Sequence, residues 1–104
     1  MDNYNIDTEG FLVDFDSWDH NFCKITADNE NLELNDNHFL VIDFLREFYA
    51  ENKKSPAIRE LVKNLKIKHG EKTGNSLYLQ MLFPVSPAVQ AAKIAGLPKP
   101  KRCI

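Results

Sequence analysis

Two cysteines, Cys23 and Cys103, are the residues of this sequence best suited to chemistry. They stand eighty residues apart, and neither belongs to a CxxC pair or has a histidine nearby to complete a zinc site. A disulfide scaffold is therefore not expected, and each cysteine is interpreted as a free thiol in a reducing cytosol. Such a thiol either packs as a small hydrophobe or is kept for its reactivity.

Cys103 has the sequence context of a reactive thiol. It is the penultimate residue, and Lys99, Lys101 and Arg102 before it favour the thiolate, although the carboxylate of Ile104 opposes them. The sequence supplies no local general base, metal site or oxyanion loop, so Cys103 is suited to carrying a group rather than to hydrolysis. Prenylation is excluded because it requires the cysteine fourth from the end.

The segment that carries Cys103 changes abruptly in composition. Residues 97–104 read LPKPKRCI, and the two prolines cannot donate backbone hydrogen bonds and exclude a helix. We therefore predict an extended, mobile arm that spans on the order of 20 Å between Gly96 and the thiol. The alternative is a frayed tail that ends in cysteine by chance, and the stiffening prolines argue against it.

Cys23 and His38 are predicted to be structural. Cys23 lies about 100° from the apolar stripe of Trp18, Phe22 and Ile25, which predicts a position at the edge of the core or on the surface. His38 belongs to a helix that is apolar nearly all round, and such a helix is usually central. A buried, hydrogen-bonded histidine is therefore favoured over a catalytic base.

The charges of the chain are strongly divided between its two halves. Residues 1–50 carry 12 acidic and 2 basic side chains, whereas residues 51–104 carry 3 acidic and 11 basic ones. One interpretation is that the halves attract each other and fold together. The other is that the C-terminal half presents a basic face to an acidic partner, either protein or nucleic acid.

The length of 104 residues, with 43% hydrophobic and 27% charged residues, predicts a single domain over residues 1–104. Its core is expected to be modest, without a deep pocket for a large cofactor, and we expect neither a cofactor nor a metal. No apolar run is long enough to cross a membrane, and the N-terminal residues lack a signal-peptide pattern. A cytoplasmic location is therefore expected.

The predicted fold class is mainly α (α+β), with a small N-terminal β-hairpin over Asn3 to Phe15 followed by a compact bundle of about five helices and the arm. Capping residues and prolines predict that the helices begin at Asp16 or Ser17, Asn35 or Asp36, Ser55-Pro56, Gly74, and Ser86-Pro87. The first, second, fourth and fifth are predicted to end near Asn29, Asn52, Leu82 and Ala95. Gly96 is well placed to terminate the last one.

The terminal block PAVQAAKIAGLPKPKRCI, residues 87–104, is a long and specific motif with a penultimate cysteine. It follows GFLVDFDSWD, NHFLVIDFLREFY, SPAIRELVKNL and GNSLYLQMLFP in that order. Together these segments resemble the DsrC/TusE family of small cytoplasmic sulfur-carrier proteins, and the resemblance covers nearly the whole chain. It implies a mainly helical fold with a small N-terminal hairpin and a mobile arm.

The resemblance also implies a branch of the family. The DsrC branch has a second cysteine eleven residues before the penultimate one, and Ala92 stands there in this chain, which points to the TusE branch. In that branch Cys103 would be the catalytic residue and would form the persulfide intermediate. It would accept sulfur from a TusBCD complex, through TusD, and pass it to the tRNA 2-thiouridylase MnmA for wobble-uridine 2-thiolation. The resemblance assigns no role to Lys99, Lys101 and Arg102, and their charge alone suggests that they bind an acidic protein surface or tRNA phosphate.

Two other functions remain open. The second and third predicted helices, joined by a short turn and carrying Arg59 and Lys63, resemble a helix-turn-helix nucleic-acid-binding module. The helix-turn-helix hypothesis explains the basic C-terminal half but not the arm or its cysteine. A DsrC-type carrier for a sulfite reductase is the other alternative, and Ala92 weakens it.

Overall fold

The structure is a computed structural model that describes residues 4–100. Five α-helices contain most of these residues. A short 3-10 turn over Phe15–Ser17 precedes them. The helices are α1 (His20–Asn29), α2 (Asp36–Asn52), α3 (Ile58–His69), α4 (Ser76–Leu82) and α5 (Pro87–Ile94). The predicted helical bundle is therefore confirmed.

The first helix begins later than the sequence pattern indicates. Asp16 and Ser17, the predicted caps, lie in the 3-10 turn, and Asp19 caps α1 by accepting a hydrogen bond from the amide of Phe22 at 2.8 Å. The prediction was wrong because Trp18 is extended, with φ −65° and ψ 140°, and separates the turn from the helix. In α2 the predicted cap Asn35 is confirmed.

The third and fourth helices also start late. Pro56 is fully buried and lies before α3, which begins at Ile58 without a side-chain cap, so the predicted Ser55-Pro56 start was wrong. Gly74 lies before α4, which Asn75 caps. Gly74 is needed for close packing, because a Cβ there would fall 2.2 Å from the backbone nitrogen of Lys66.

The last helix ends in the way its sequence predicts. Pro87 occupies its first turn, and Ala95 and Gly96 terminate it, with Gly96 at φ +78°. The amide of Leu97 donates to the carbonyl of Ala92 at 2.9 Å, and that of Gly96 donates to Lys93 at 3.3 Å. This pair of bonds is a Schellman motif, which satisfies carbonyls that have no partner within the helix.

The most central helix is α5, which packs against all four other helices, and not α2 as its apolar faces suggest. Its small side chains explain the position, because Ala88, Ala91 and Ala92 let neighbouring helices approach closely. The largest fully buried side chains of the core are Phe22, Phe83, Ile42, Leu45, Leu61, Leu65, Leu79, Leu97 and, on α5 itself, Ile94.

The predicted N-terminal β-hairpin was wrong. The chain does reverse direction before Phe15, but within residues 4–100 there is no β-strand, only an isolated antiparallel bridge between Ile6 and Leu12. The carboxylate of Asp7 accepts the amides of Glu9 and Phe11, each at 2.9 Å, and so forms a tight turn. Phe11 and Leu12 are both buried although they are adjacent, and this breaks the alternation that a strand requires.

Candidate functional site

Of the predicted site residues, the structure describes only Lys99. Cys103, Lys101 and Arg102 lie outside the described residues, whereas Lys99 is exposed and pairs with Glu9 at 3.4 Å. The described part of the predicted arm, residues 97–100, has no helix or strand. Its placement relative to the body determines where the chain continues toward the thiol.

Two side chains from distant parts of the sequence bind the end of α5. Trp18 donates its indole N–H to the carbonyl of Ile94 at 2.9 Å, and Arg46 donates to the carbonyl of Ala95 at 3.0 Å. These carbonyls are among the last of the helix, which lack partners along the chain. The bonds fix the end of α5, after which the C-terminal segment begins.

Arg46 also holds the N-terminal part of the chain. Its guanidinium carbon lies 3.8 Å from the centre of the Phe15 ring and 4.5 Å from that of Trp18, and Nη2 donates to the carbonyl of Phe15 at 3.1 Å. Burial lowers the pKa of Arg46, and Asp16 opposes that effect. No local sequence pattern indicates this role for Arg46, although it is one of only 2 basic residues in the first half of the chain.

The first residues of the segment pack tightly onto the body. Gly96 lies against Trp18, and a Cβ on Gly96 would fall 2.5 Å from the Cδ1 atom of that indole. Leu97 is completely buried in the core, and Pro100 is buried as well. The extended arm was predicted from Leu97 onward, but the chain packs on the body at Leu97 and again at Pro100.

A basic cavity of about 480 Å³ lies beside this segment. The hydroxyl of Ser55 donates to the carbonyl of Pro98 at 2.5 Å, which joins the α2–α3 connection to the C-terminal segment. Lys54 pairs with Glu60 at 3.2 Å. The lining residues are Lys53, Lys54, Ser55, Ala57, Glu60, Pro98 and Lys99.

Cys23 is buried within the core and not at its edge, so that part of its prediction was wrong. Both Phe22 and Cys23 have no exposed surface, so α1 buries two adjacent residues. Burial, with a smaller contribution from Asp43, raises the pKa of the Cys23 thiol to about 11. A thiol that stays protonated and inaccessible is unsuited to nucleophilic sulfur chemistry.

His38 is structural, as predicted. Its Nε2 is 2.7 Å from the carbonyl oxygen of Leu82, and its Nδ1 accepts the amide of Asn35 at 3.1 Å in a capping box. With 5% of its surface exposed, the ring joins the start of α2 to the end of α4. Both ring nitrogens are therefore occupied.

The helix-turn-helix alternative receives little support from the placement of α3. Arg59 and Lys63 are exposed, but the cavity of about 420 Å³ between α2 and α3 is bordered by Glu47, Glu51 and Glu60. Carboxylates in this position repel a phosphate backbone. Arg59 and Lys63 line a separate groove on the other side of α3.

Neither a metal centre nor a membrane span is found in residues 4–100. No three His, Cys, Asp or Glu side chains cluster there in a way that could hold a metal ion. In the same part of the chain, every helix is too short or too polar to cross a bilayer.

A family model described as "DsrC like protein" matches residues 1–104. The chain belongs to the DsrC-like family. Among curated proteins it is 51% identical to Sulfurtransferase TusE of Escherichia coli K12 over 98 residues, which cover 94% of this chain and 90% of that protein. It is 52% identical, with the same coverage, to Sulfurtransferase TusE of Salmonella choleraesuis. These relatives place the chain among the sulfurtransferases of the DsrC-like family.

Solved structures of DsrC-like proteins share the helical fold. The NMR structure of Allochromatium vinosum DsrC is 44% identical, with a TM-score of 0.89 over 97% of this chain and 90% of that one. The oxidized DsrC of Archaeoglobus fulgidus, a gamma-subunit of dissimilatory sulfite reductase, is 34% identical, with a TM-score of 0.80 over 97% and 92%. The packing of α1–α5 is therefore the packing of the DsrC-like family.

Proposed function

We propose that this chain is a sulfur-relay protein that carries sulfane sulfur as a persulfide on Cys103. It accepts the sulfur from a TusBCD-type complex, through the TusD subunit, and passes it to the tRNA 2-thiouridylase MnmA for 2-thiolation of the wobble uridine. The relay takes place in the cytoplasm, and Lys99, Lys101 and Arg102 contact the partners. Similarity to the sulfurtransferases named TusE supports this assignment.

The observation that carries the proposal is the burial of Cys23. A sulfurtransferase of this kind needs a nucleophilic thiol, and the sequence contains two cysteines. Because the fold encloses Cys23 and raises its pKa to about 11, Cys103 is the remaining candidate. The packing of Gly96 and Leu97 supports a relay, because it fixes the start of the segment that leads to Cys103.

The transfer needs no external oxidant or reductant. The Cys103 thiolate attacks the outer sulfur of the donor persulfide, a bond between Sγ and that sulfur forms, and the donor S–S bond breaks. The donor cysteine leaves as a thiolate and takes up the proton that Cys103 released. A second exchange of the same type moves the sulfur to a cysteine of the acceptor, so the outer sulfur keeps its oxidation state throughout.

Intact-protein mass spectrometry tests the proposal directly. The full-length chain is incubated with a cysteine desulfurase, cysteine, TusA and TusBCD, and wild type is compared with Cys103→Ser and Cys23→Ser. We expect wild type and Cys23→Ser to gain about 32 Da, the mass of one sulfur, and Cys103→Ser to gain nothing. An unmodified wild type beside a visibly loaded TusBCD complex would overturn the proposal.

A further inference from the structure

An open groove of about 490 Å³ runs along α3 on the side away from the acidic α2–α3 cavity. Neither the core nor residues 97–100 fill it. Its lining residues are Ile58, Arg59, Val62, Lys63 and Lys66 of α3, with Ser76 at the start of α4.

The groove combines an apolar floor with a basic rim. Ile58 and Val62 lie one turn apart, are half-buried, and pack with their inner sides against the core. Arg59 and Lys63 repeat the same spacing one residue later and are exposed. Within residues 4–100 neither of these two cations forms a salt bridge, whereas Lys66 pairs with Glu71 at 3.4 Å.

This combination favours one kind of occupant. An amphipathic helix with an apolar row flanked by Asp or Glu would cover the floor and pair with the rim, as in other helix-in-groove complexes. A nucleic-acid backbone would meet Arg59 and Lys63 but would leave Ile58 and Val62 in contact with water. The apolar floor therefore favours a protein over RNA.

The groove begins beside the C-terminal segment. Ala57 lines the cavity that contains Pro98 and Lys99, and the next residue, Ile58, lines the groove. A partner seated along α3 would therefore lie next to the segment that leads to Cys103. A carrier gains from such a site, because docking outside the thiol raises the effective concentration of the donor's persulfide.

We infer that the α3 groove docks an acidic amphipathic helix of the protein that donates sulfur to Cys103. This inference rests on the proposed function. The binding energy comes from covering Ile58 and Val62, and the rim of Arg59 and Lys63 selects for a negatively charged partner and speeds its association.

Binding of the full-length chain to purified TusBCD tests the inference. We expect Arg59→Glu/Lys63→Glu to raise the Kd by about tenfold or more and to flatten its salt dependence, because each reversal places a like charge against the donor helix. Val62→Thr, which keeps the shape of the floor but adds a hydroxyl, is expected to raise the Kd as well. Lys24→Glu/Lys72→Glu makes the same charge change outside the groove and should leave the Kd within about twofold.

Sulfur transfer measured on the same samples separates the two proposals. If wild type accepts no sulfur from loaded TusBCD, the proposed function fails, and the inference fails with it. If wild type is loaded but the groove variants bind TusBCD as tightly as the Lys24/Lys72 control, only the inference fails. Loss of tRNA binding alone, or loss of self-association in sedimentation, would assign the groove to RNA or to a second copy and would also overturn it.

Discussion

The indole nitrogen of Trp18 donates a hydrogen bond to the carbonyl of Ile94 over a distance of 2.9 Å. The two residues are separated by 76 positions in the chain, so the bond joins the region before α1 to the end of α5. It caps a helix with a side chain from elsewhere in the fold. The position of the end of α5, where the C-terminal segment begins, therefore depends on residues that precede α1.

Replacing Trp18 by Phe tests this bond. The change leaves the Ile94 carbonyl without its donor, and we expect the free energy of unfolding to fall by about 1–3 kcal/mol in urea denaturation followed by circular dichroism. Tyr78→Phe is the control, since within the described chain Tyr78 is hydrogen-bonded through its backbone amide, to Asn75, and not through its hydroxyl. Equal stability of the two variants would contradict a capping role for Trp18.

Arg46 is predicted to be irreplaceable by lysine. Arg46→Lys keeps the charge but loses the fork that reaches the carbonyls of Ala95 and Phe15, so we expect a loss of about 2 kcal/mol in the same unfolding measurement. The reverse exchange Lys68→Arg alters an exposed pair with Glu47 and should change stability by less than about 0.5 kcal/mol. A loss below 0.5 kcal/mol for Arg46→Lys would contradict this assignment.

Local sequence signals predicted what local interactions decide. Asn35 caps α2 and Gly96 ends α5 because cap chemistry and positive φ depend on neighbouring residues. The start of α1 could not be predicted, because Trp18 is held in an extended conformation by its partners on α5. The hairpin was wrong for a similar reason: Phe11 and Leu12 are both buried by the rest of the fold.

The candidate site also combines features that local sequence indicates with features that depend on distant residues. Its chemistry stays a prediction, made from a penultimate cysteine among basic residues, a pattern that is contiguous in the sequence. The residues that anchor its base, Trp18, Arg46 and Ser55, are far from it in the chain and carry no local signal. The burial of Cys23 was also missed, since helical periodicity alone does not specify how many elements cover a given face.

Gly96 and Gly70 both have a positive φ, but replacing each by alanine should change the stability by different amounts. Gly96→Ala combines a positive φ of +78° with a Cβ only 2.5 Å from Trp18, and we expect it to cost about 3 kcal/mol or more. Gly70 has φ +91° but nothing within 4 Å of a built Cβ, so Gly70→Ala should cost only the backbone strain, about 1–2 kcal/mol. Thermal or urea unfolding of both variants measures the difference, and equal losses would show that the Trp18 contact is not limiting.

Ser55 is predicted to restrain the C-terminal segment locally. Ser55→Ala removes the hydrogen bond to the Pro98 carbonyl, and because the site is near the surface, global stability should fall by less than about 1 kcal/mol. The backbone amide of Lys99 should nevertheless show a lower order parameter in NMR relaxation. Ser86→Ala is the control, since its side chain makes no cap hydrogen bond. An unchanged Lys99 amide would mean that Ser55 does not hold the segment.

Cys23 should make the stability of the fold depend on alkaline pH. Its pKa is raised from an ordinary value of 9.0 to about 11 because burial penalises the thiolate. The folded state therefore releases the proton later than the unfolded state does. The resulting contribution to stability is fully present below about pH 9 and is lost as the pH rises toward 11.

The pH dependence of stability is measured with and without the Cys23 thiol in a Cys103→Ser background, in which Cys23 is the only thiol. We expect the free energy of unfolding to fall more steeply between about pH 9 and about pH 11 than in the same protein with Cys23→Ala, which cannot ionise. At pH 8 a thiol reagent should label Cys23 only after denaturant is added. Rapid labelling of the native protein, or parallel pH profiles of the two variants, would show that the α1 thiol is accessible and would reopen Cys23 as a sulfur carrier.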